Sequence, residues 1–178
     1  MGSGQGVRRP NQSSDSECEQ CGSINPSPIQ WEKCDLGVRK SSTRVAVDVT
    51  HFGTAKCLTV VDCGPGRFMI WRQIATESEA DICSAMKSIW NKFGPPEEVI
   101  LDNYCTFRGS GVSRLLERVG IEAHFRCVNR PSGNGIVERG HRTIKRMVAR
   151  SNMPVGEMVA WYNAMPNASG VIPASTIF

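Results

Sequence analysis

Hydrophobic residues in the first part of the chain come in short β-branched runs. Three such runs cover residues 44–50, 57–63 and 67–74, and Gly64-Pro65-Gly66 separates the last two. Short β-branched runs joined by turn residues are typical of consecutive antiparallel strands. The pattern therefore predicts a three-stranded antiparallel unit that begins at Arg44.

A helical spacing follows these strands. Ser78 precedes two acidic residues, and the apolar residues Ile82, Met86, Ile89 and Phe93 then recur at intervals of three and four. Such a spacing gives one apolar helix face, and the Gly94-Pro95-Pro96 segment ends the helix.

The remaining elements alternate between strand and helix patterns. They are a buried strand at 98–101, a helix at 112–119, a strand at 121–126, a loop at 129–135, a long helix after it to about Arg150, and an amphipathic stretch around residues 158–162. The order βββαβαβαα predicts an α/β fold with a five-stranded mixed sheet and helices on its faces.

The residues before Arg44 have a different character. Residues 1–17 contain almost nothing that could be buried, which predicts a flexible leader. Residues 18–43 show no sustained period of 2 or 3.6, which indicates a linker or the remnant of a small module. The main domain is therefore expected at 44–178.

Charge is distributed unevenly along the chain. The net charge is +4 over 178 residues, but residues 1–101 carry 11 basic and 12 acidic groups, whereas residues 102–178 carry 10 and 5. The second half thus suggests a polyanionic partner, although a soluble basic surface explains it as well. No run approaches the roughly 20 apolar residues of a membrane-spanning helix, so no membrane partner is expected.

The chain has eight cysteines but no signal-peptide pattern, which favours a reducing compartment inside the cell. Cys57, Cys63 and Cys127 lie in or beside apolar, strand-like runs. Free cysteine behaves as a small hydrophobe in such places, so buried free thiols are expected in preference to disulfides.

Three acidic residues are candidates for chemistry, because functional groups of open α/β sheets gather at strand ends. Asp48 lies within the first strand between two valines, Asp102 ends the fourth strand, and Glu138 lies in the first turns of the long helix. Each alone has an ordinary explanation: Asp102 can cap a turn with Asn103, and Glu138 can complement the helix dipole. Asp62 also ends an apolar strand, and we expect it only to serve the Gly-Pro-Gly turn.

If the three carboxylates converge, they need cations. Two unit charges about 4 Å apart repel by about 4 kcal/mol at an effective dielectric near 20. Ligation by oxygen alone, without a His or Cys set, favours Mg²⁺ or Mn²⁺. Two such ions roughly 3.5–4 Å apart suit phosphodiester chemistry.

These residues together resemble the catalytic core of retroviral and retrotransposon integrases. The matching segments are Asp48-Val-Thr50, Asp102-Asn103 with Phe107, and Pro131-Ser-Gly-Asn-Gly-Ile-Val-Glu138-Arg139. Between Asp102 and Glu138 lie 35 residues, as in the D,D-35-E pattern of that family. The resemblance covers about residues 44–178.

The resemblance implies a ribonuclease H-like fold and a polynucleotidyl transferase cut from a longer polyprotein. Asp48 would then contact two Mg²⁺ or Mn²⁺ ions, Asp102 one of them and Glu138 the other. The reactions would be 3′-end processing and strand transfer on double-stranded DNA, at element ends and target. A homo-oligomer acting in the nucleus, after a cytoplasmic nucleoprotein stage, is also implied.

The long helix supports this reading on its own spacing. Glu138, Arg142, Lys145 and Ala149 share one face, and an apolar face of Val137, Gly140, Ile144 and Val148 lies beside it. Residues 126–150 carry a local charge of +6. We therefore expect DNA contacts here, although a solvated basic face is the plainer alternative. The expected contacts are Asn134, Arg139, Arg142, Lys145 and Arg146, and Asn103 is a candidate partner for Asp102.

The sequence departs from the family pattern in two places. Cys18 and Cys21 resemble the second half of a His-His-Cys-Cys zinc module, but no histidine precedes His51, so a four-ligand Zn²⁺ site is not expected. Tyr104 stands where many relatives carry a small residue, which raises a question about the shape of the loop after Asp102.

Other readings stay open. A cut-and-paste transposase shares the expected fold, and the 35-residue spacing disfavours it. A ribonuclease H would need a carboxylate inside the first core helix, whereas Glu77, Glu79 and Asp81 cluster at its start. An inactive, domesticated DNA-binding or scaffold protein is the alternative from another class, and the presence of all three carboxylates argues against it.

Overall fold

The computed structural model describes residue 38 and residues 40–125 and 135–177. Within these ranges lie five strands: β1 (Arg44–Phe52), β2 (Ala55–Asp62), β3 (Met69–Ile74), β4 (Glu98–Leu101) and β5 (Glu122–Phe125). The four α-helices there are α1 (Glu79–Phe93), α2 (Ser110–Val119), α3 (Gly135–Ser151) and α4 (Val155–Ala164). Short 3₁₀ helices span Cys105–Arg108 and Pro173–Thr176. The predicted order βββαβαβαα is confirmed.

The five strands form one mixed sheet in the order β3-β2-β1-β4-β5. β1 is antiparallel to β2 and parallel to β4, and β4 is parallel to β5. The predicted α/β class and mixed five-stranded sheet are therefore confirmed. The boundary expected at Arg44 coincides with the start of β1, whereas the segment proposed at 1–17 and most of the segment proposed at 18–43 lie outside the described residues.

The start and end of α1 follow its sequence signals. The Ser78 hydroxyl accepts a hydrogen bond from the backbone N–H of Asp81 at 3.2 Å, which satisfies one free donor of the first turn. Gly94 ends the helix at φ 84°, a conformation that favours glycine. Ile82, Met86 and Ile89 are buried as the spacing predicted.

The alternation along the strands divides the core into two layers. The side chains of Val45, Val47 and Leu58 pack with α1 and α2 on one face of the sheet. Those of Ala46 and Val61 pack with α3 and α4 on the other. Because side chains alternate, β1 sends every second residue to the α3 face, and Asp48 is one of these.

The edge strand β3 is covered by α4. Asn163 of that helix accepts a hydrogen bond from the backbone N–H of Met69 at 2.9 Å and donates one to its carbonyl at 2.7 Å. Asn163 is 8% exposed, so this pair of bonds satisfies an otherwise open edge and holds α4 against the sheet.

Cysteines and hydropathy give the remaining general features. In the described ranges, Cys57 and Cys63 are buried free thiols, and burial raises the pKa of Cys63 to about 11. Cys83 and Cys105 are also free. None of the described helices has the length and apolar character needed to cross a membrane.

Candidate active site

Asp48 lies in the central strand β1, opposite Thr59 of β2. Its side chain is 18% exposed, and its Oδ1 accepts a hydrogen bond from the Val49 N–H at 2.8 Å. The Asp48 side chain is thus half-buried on the α3 face of the sheet, where an ionised carboxylate needs polar partners.

Asp102 comes next to Asp48 through the parallel pairing of β1 with β4. The ladder ends with Val47 opposite Leu101, so Asp48 and Asp102 are the next residues of the two neighbouring strands. Asp102 lies two residues after Ile100, which packs on the α3 face, so the alternation along the strand directs Asp102 to the same face. The structure therefore brings these two predicted residues together at the same level of the sheet.

Asn103 does contact Asp102, through its main chain. The Asn103 N–H donates to Asp102 Oδ1 at 2.6 Å, and the Asn103 side chain accepts from Arg108. This arrangement is compatible both with the predicted support of Asp102 and with the turn cap that the sequence left as an alternative.

Glu138 lies in the first turn of α3, the helix that covers the Asp48 face of the sheet. It is exposed, while Val137, Gly140 and Ile144 of the same helix are buried. The predicted division of α3 into an apolar face and a face carrying Glu138, Arg142 and Lys145 is thus confirmed.

Glu138 does not form a close group with Asp48 and Asp102. Within residues 40–125 and 135–177, no set of three or more His, Cys, Asp or Glu side chains is arranged to hold a metal ion.

The basic residues of α3 point in more than one direction. Arg142 is half-buried and Lys145 is exposed on the side of Glu138. Arg139 instead lines a groove of ≈ 490 Å³ with Arg67 and Tyr162, and its Nε donates to the Gly135 carbonyl at 2.9 Å. Arg146 is half-buried. The DNA role of all four stays a prediction.

A polar cluster around Glu77, which the sequence analysis did not predict as a unit, adjoins this site. Glu77 contacts His51 at 2.8 Å, Lys56 at 3.3 Å and the Tyr104 hydroxyl at 2.6 Å. The hydrogen bond from Tyr104 is the main cause that lowers the pKa of Glu77 to about 2, and His51 and Lys56 add to it. Through Glu77, Tyr104 therefore links the loop after Asp102 to the β1–β2 hairpin. This contact gives the large side chain of Tyr104 a structural role in that loop.

A second unpredicted contact joins α3 to the sheet. His141 Nε2 lies 2.7 Å from the Thr59 hydroxyl, and its Nδ1 lies 4.0 Å from Asp48 Oδ2. The signal in the sequence was the spacing from Glu138 to His141, which puts the histidine at the border between the buried face and the Glu138 face of the helix.

The acids at the start of α1 have structural partners. Glu79 Oε1 accepts from the backbone N–H groups of Gly111 and Val112 at the start of α2. Asp81 accepts from Thr76, which lowers its pKa. These contacts agree with the expectation that the acids serve the helix start, and they leave the ribonuclease H reading without its carboxylate.

Asp62 has the turn role expected of it. Its Oδ1 accepts from the N–H groups of Ser42 at 3.0 Å and Gly64 at 3.1 Å. Three other candidates, Asn134, Cys18 and Cys21, lie outside the described residues.

Comparison with known proteins gives retroviral relatives. No protein-family model matches the sequence. The Gag-Pol polyprotein of avian reticuloendotheliosis virus is 26% identical over 171 residues, which are 92% of this chain and 15% of that protein. The chain spans only 9% to 25% of the curated polyproteins it matches.

Solved structures with a similar fold include integrase catalytic cores. The catalytic core of BIV integrase has a TM-score of 0.65 at 19% identity, and the match covers 76% of this chain and 93% of that one. The HTLV-2 integrase core, solved in complex with magnesium in a trimeric form, has a TM-score of 0.62 at 17% identity, covering 79% and 99%. The chain thus has retroviral polyproteins as homologues and the ribonuclease H-like fold of retroviral integrase catalytic cores.

Proposed function

We propose that this chain is the catalytic core of an integrase, which joins DNA strands by metal-dependent phosphodiester chemistry. One observation carries the proposal: Asp48 and Asp102 directly follow the last pair of the parallel β1–β4 ladder, on the sheet face covered by the helix that bears Glu138. Carboxylates gathered at strand ends are where α/β folds hold their chemistry.

The donor set fits a hard divalent cation. Asp48 and Asp102 offer carboxylate oxygens from a half-buried position, which suits Mg²⁺ or Mn²⁺. The magnesium in the HTLV-2 core supports this choice. We propose that Asp48, Asp102 and Glu138 would hold these ions, with Asp48 contacting two ions, Asp102 one of them and Glu138 the other.

Bound divalent ions would supply charge neutralisation and an activated oxygen for in-line displacement at phosphorus. The chain's own residues would do the rest. Arg142 and Lys145, on the helix face beside Glu138, would bind the phosphates flanking the reacting bond, with Arg146, Arg139 and Asn134 as further contacts. Asn103 would hold Asp102 through its N–H.

The proposed substrates are double-stranded element ends and target DNA. The proposed reactions are trimming of a 3′ end by water and attack of the resulting 3′ hydroxyl on a second strand. The trimeric form of the HTLV-2 core supports a homo-oligomeric working state, and the DNA target makes the nucleus the proposed place of action.

The test compares Glu138→Gln with Glu157→Gln. Both residues are exposed glutamates in the first turn of a helix, so Glu157→Gln is a matched control for charge and helix position. Strand transfer, and the reverse disintegration reaction on branched DNA, are measured with Mg²⁺ and Mn²⁺. We expect the Glu138 variant to lose activity and the Glu157 variant to retain it.

Two results would reject the proposal. Equal activity of Glu138→Gln and the parent chain removes Glu138 from the chemistry. DNA binding by the parent chain without any metal-dependent cleavage or joining favours the inactive DNA-binding or scaffold alternative. A product released by cutting both element strands would instead indicate a transposase.

A further inference from the structure

A buried histidine one turn after Glu138 has no role in the function proposed above. His141 is 9% exposed, although histidine is costly to bury unless its ring nitrogens are paired. Thr59, whose hydroxyl group contacts His141, is 0% exposed. Two polar side chains therefore meet in the packed layer between α3 and the sheet.

The contacts form a directed chain from α3 to β1. Thr59 Oγ1 donates to the main-chain carbonyl of Asp48 at 3.0 Å, which uses its one proton. The threonine oxygen must then accept from His141 Nε2, which lies 2.7 Å away. The network requires a proton on Nε2, and it connects His141 to the backbone of Asp48.

Packing keeps the His141 ring in place. The ring stands edge-on to Trp71, with centroids 5.5 Å apart and an interplanar angle of 87°. Gly140 lets the helix come close, because a Cβ there would lie 2.6 Å from the terminal methyl of Met69. Nδ1 is 4.0 Å from Asp48 Oδ2, too far for a hydrogen bond, whereas the two contacts through Thr59 are 2.7 and 3.0 Å long.

We propose that His141 and Thr59 are positioning residues that set the first turn of α3, and with it Glu138, relative to Asp48. The inference rests on the proposed function, since it concerns how two of its carboxylates are held. Thr59 lies opposite Asp48 in the β1–β2 ladder, so the contact between His141 and Thr59 connects α3 directly to the strand pair that carries Asp48. Hydrogen bonds are directional, so this chain fixes distance more tightly than apolar contact does.

The experiment uses the chain carrying Thr59→Val, Thr59→Ser, His141→Phe or Thr143→Val. Valine has nearly the volume of threonine and lacks the hydroxyl, whereas serine keeps it. Phenylalanine keeps a ring against Trp71 and lacks the nitrogens. Thr143 is an exposed threonine of the same helix, so its change to valine is the matched control.

Two quantities are measured for each variant: kcat and KM for strand transfer, and the Mn²⁺ concentration that gives half of the metal-induced shift in thermal midpoint. For Thr59→Val and His141→Phe we expect kcat to fall about 10- to 100-fold, the usual cost of removing a partner that orients a metal ligand. KM for DNA should be unchanged, and the half-effective Mn²⁺ concentration should rise. Thr59→Ser should restore most of kcat, and Thr143→Val should match the parent chain.

Combining Thr59→Val with His141→Phe should cost no more than the worse of the two, because both changes cut one chain of contacts. Parent-like kcat and Mn²⁺ response in folded Thr59→Val overturns the inference. A similar loss in Thr143→Val, or a loss in KM alone, overturns it as well. If His141→Phe does not fold, the valine and serine variants of Thr59 decide. A parent chain without metal-dependent activity instead overturns the proposed function.

Discussion

The two faces of the sheet bury different kinds of side chain. The layer between the sheet and helices α1 and α2 is built from apolar groups such as Leu58, Met86 and Leu101. The layer under α3 and α4 also buries Thr59, His141 and Asn163, each with a hydrogen-bond partner across the layer. Apolar contact is non-directional, whereas a buried polar group is costly unless its partner is in place. One face therefore provides stability, and the other sets geometry as well.

The largest effect that tests this contrast is expected when Asp102, which follows β4, is compared with Asp62, which ends β2. Asp102→Asn should lower strand transfer by more than about 100-fold while leaving the thermal midpoint nearly unchanged. Losing a residue that only orients a metal ligand costs up to about 100-fold, and Asp102 is a proposed ligand itself. Asp62→Ala should do the opposite, since Asp62 accepts from Ser42 and Gly64: a loss of about 1–3 kcal/mol in stability with activity per folded molecule retained. Chemical denaturation and single-turnover assays on both variants check this. Parent-like activity in Asp102→Asn would contradict it.

The apolar face should respond through stability. Met86 is 0% exposed in α1, and Met86→Ala should cost about 2–5 kcal/mol of unfolding free energy because a cavity remains. Activity per folded molecule should stay close to that of the parent chain. Urea denaturation followed by circular dichroism gives the free energy. A large fall in kcat of the folded variant would show that the two faces are not separable.

Electrostatic contact with DNA should also distinguish the faces. Arg142→Ala with Lys145→Ala, on α3, should flatten the slope of log affinity against log salt by nearly two units, at about 0.9 per phosphate contact. Arg114→Ala with Arg118→Ala removes the same charge from α2 on the other face and should change the slope far less. Fluorescence anisotropy over a salt series measures both. Equal slopes for the two double variants would remove the α3 face from the DNA site.

The smallest effect is expected at the Glu77 cluster. The folded-state pKa of Glu77 is about 2 against an ordinary 4.5, so its ionised form is favoured by folding. The stability it adds is present above about pH 4.5 and is lost as the pH falls through about 2. Glu77→Gln should therefore weaken the fall of the thermal midpoint over this acid range, and Tyr104→Phe should weaken it partly. An equal fall of the thermal midpoint with falling pH in Glu77→Gln and in the parent chain would contradict a stabilising role for the Glu77 cluster.

Local signals predicted much of this molecule. The β-branched runs gave the three antiparallel strands, Ser78 and Gly94 marked the ends of α1, and the spacing after Glu138 gave the two faces of α3. These features depend on residues close together in the sequence. Periodicity and capping are short-range properties, so a single sequence carries them.

Long-range contacts could not be predicted in the same way. Thr59 and His141 are 82 positions apart in the sequence. Their contact depends on the register of β2 and on the packing of α3 against Met69 and Trp71. The alignment of Asp48 beside Asp102 likewise depends on the parallel register of β1 with β4. The resemblance to integrases suggested that the acids converge, but the sequence pattern alone does not set the register.

The central position of β1 has a consequence for how the molecule assembles. Its antiparallel partner β2 follows after a tight turn, whereas its parallel partner β4 begins 54 residues after the start of β1. Contacts between distant parts of a chain form late, because closing a long loop costs entropy before any pairing is gained. We therefore expect the β1–β2–β3 meander to fold early, and β4, which Asp102 follows, to join it later. A nascent or partly folded chain would then keep its two aspartates apart, and the capacity for chemistry would arise only as folding is completed.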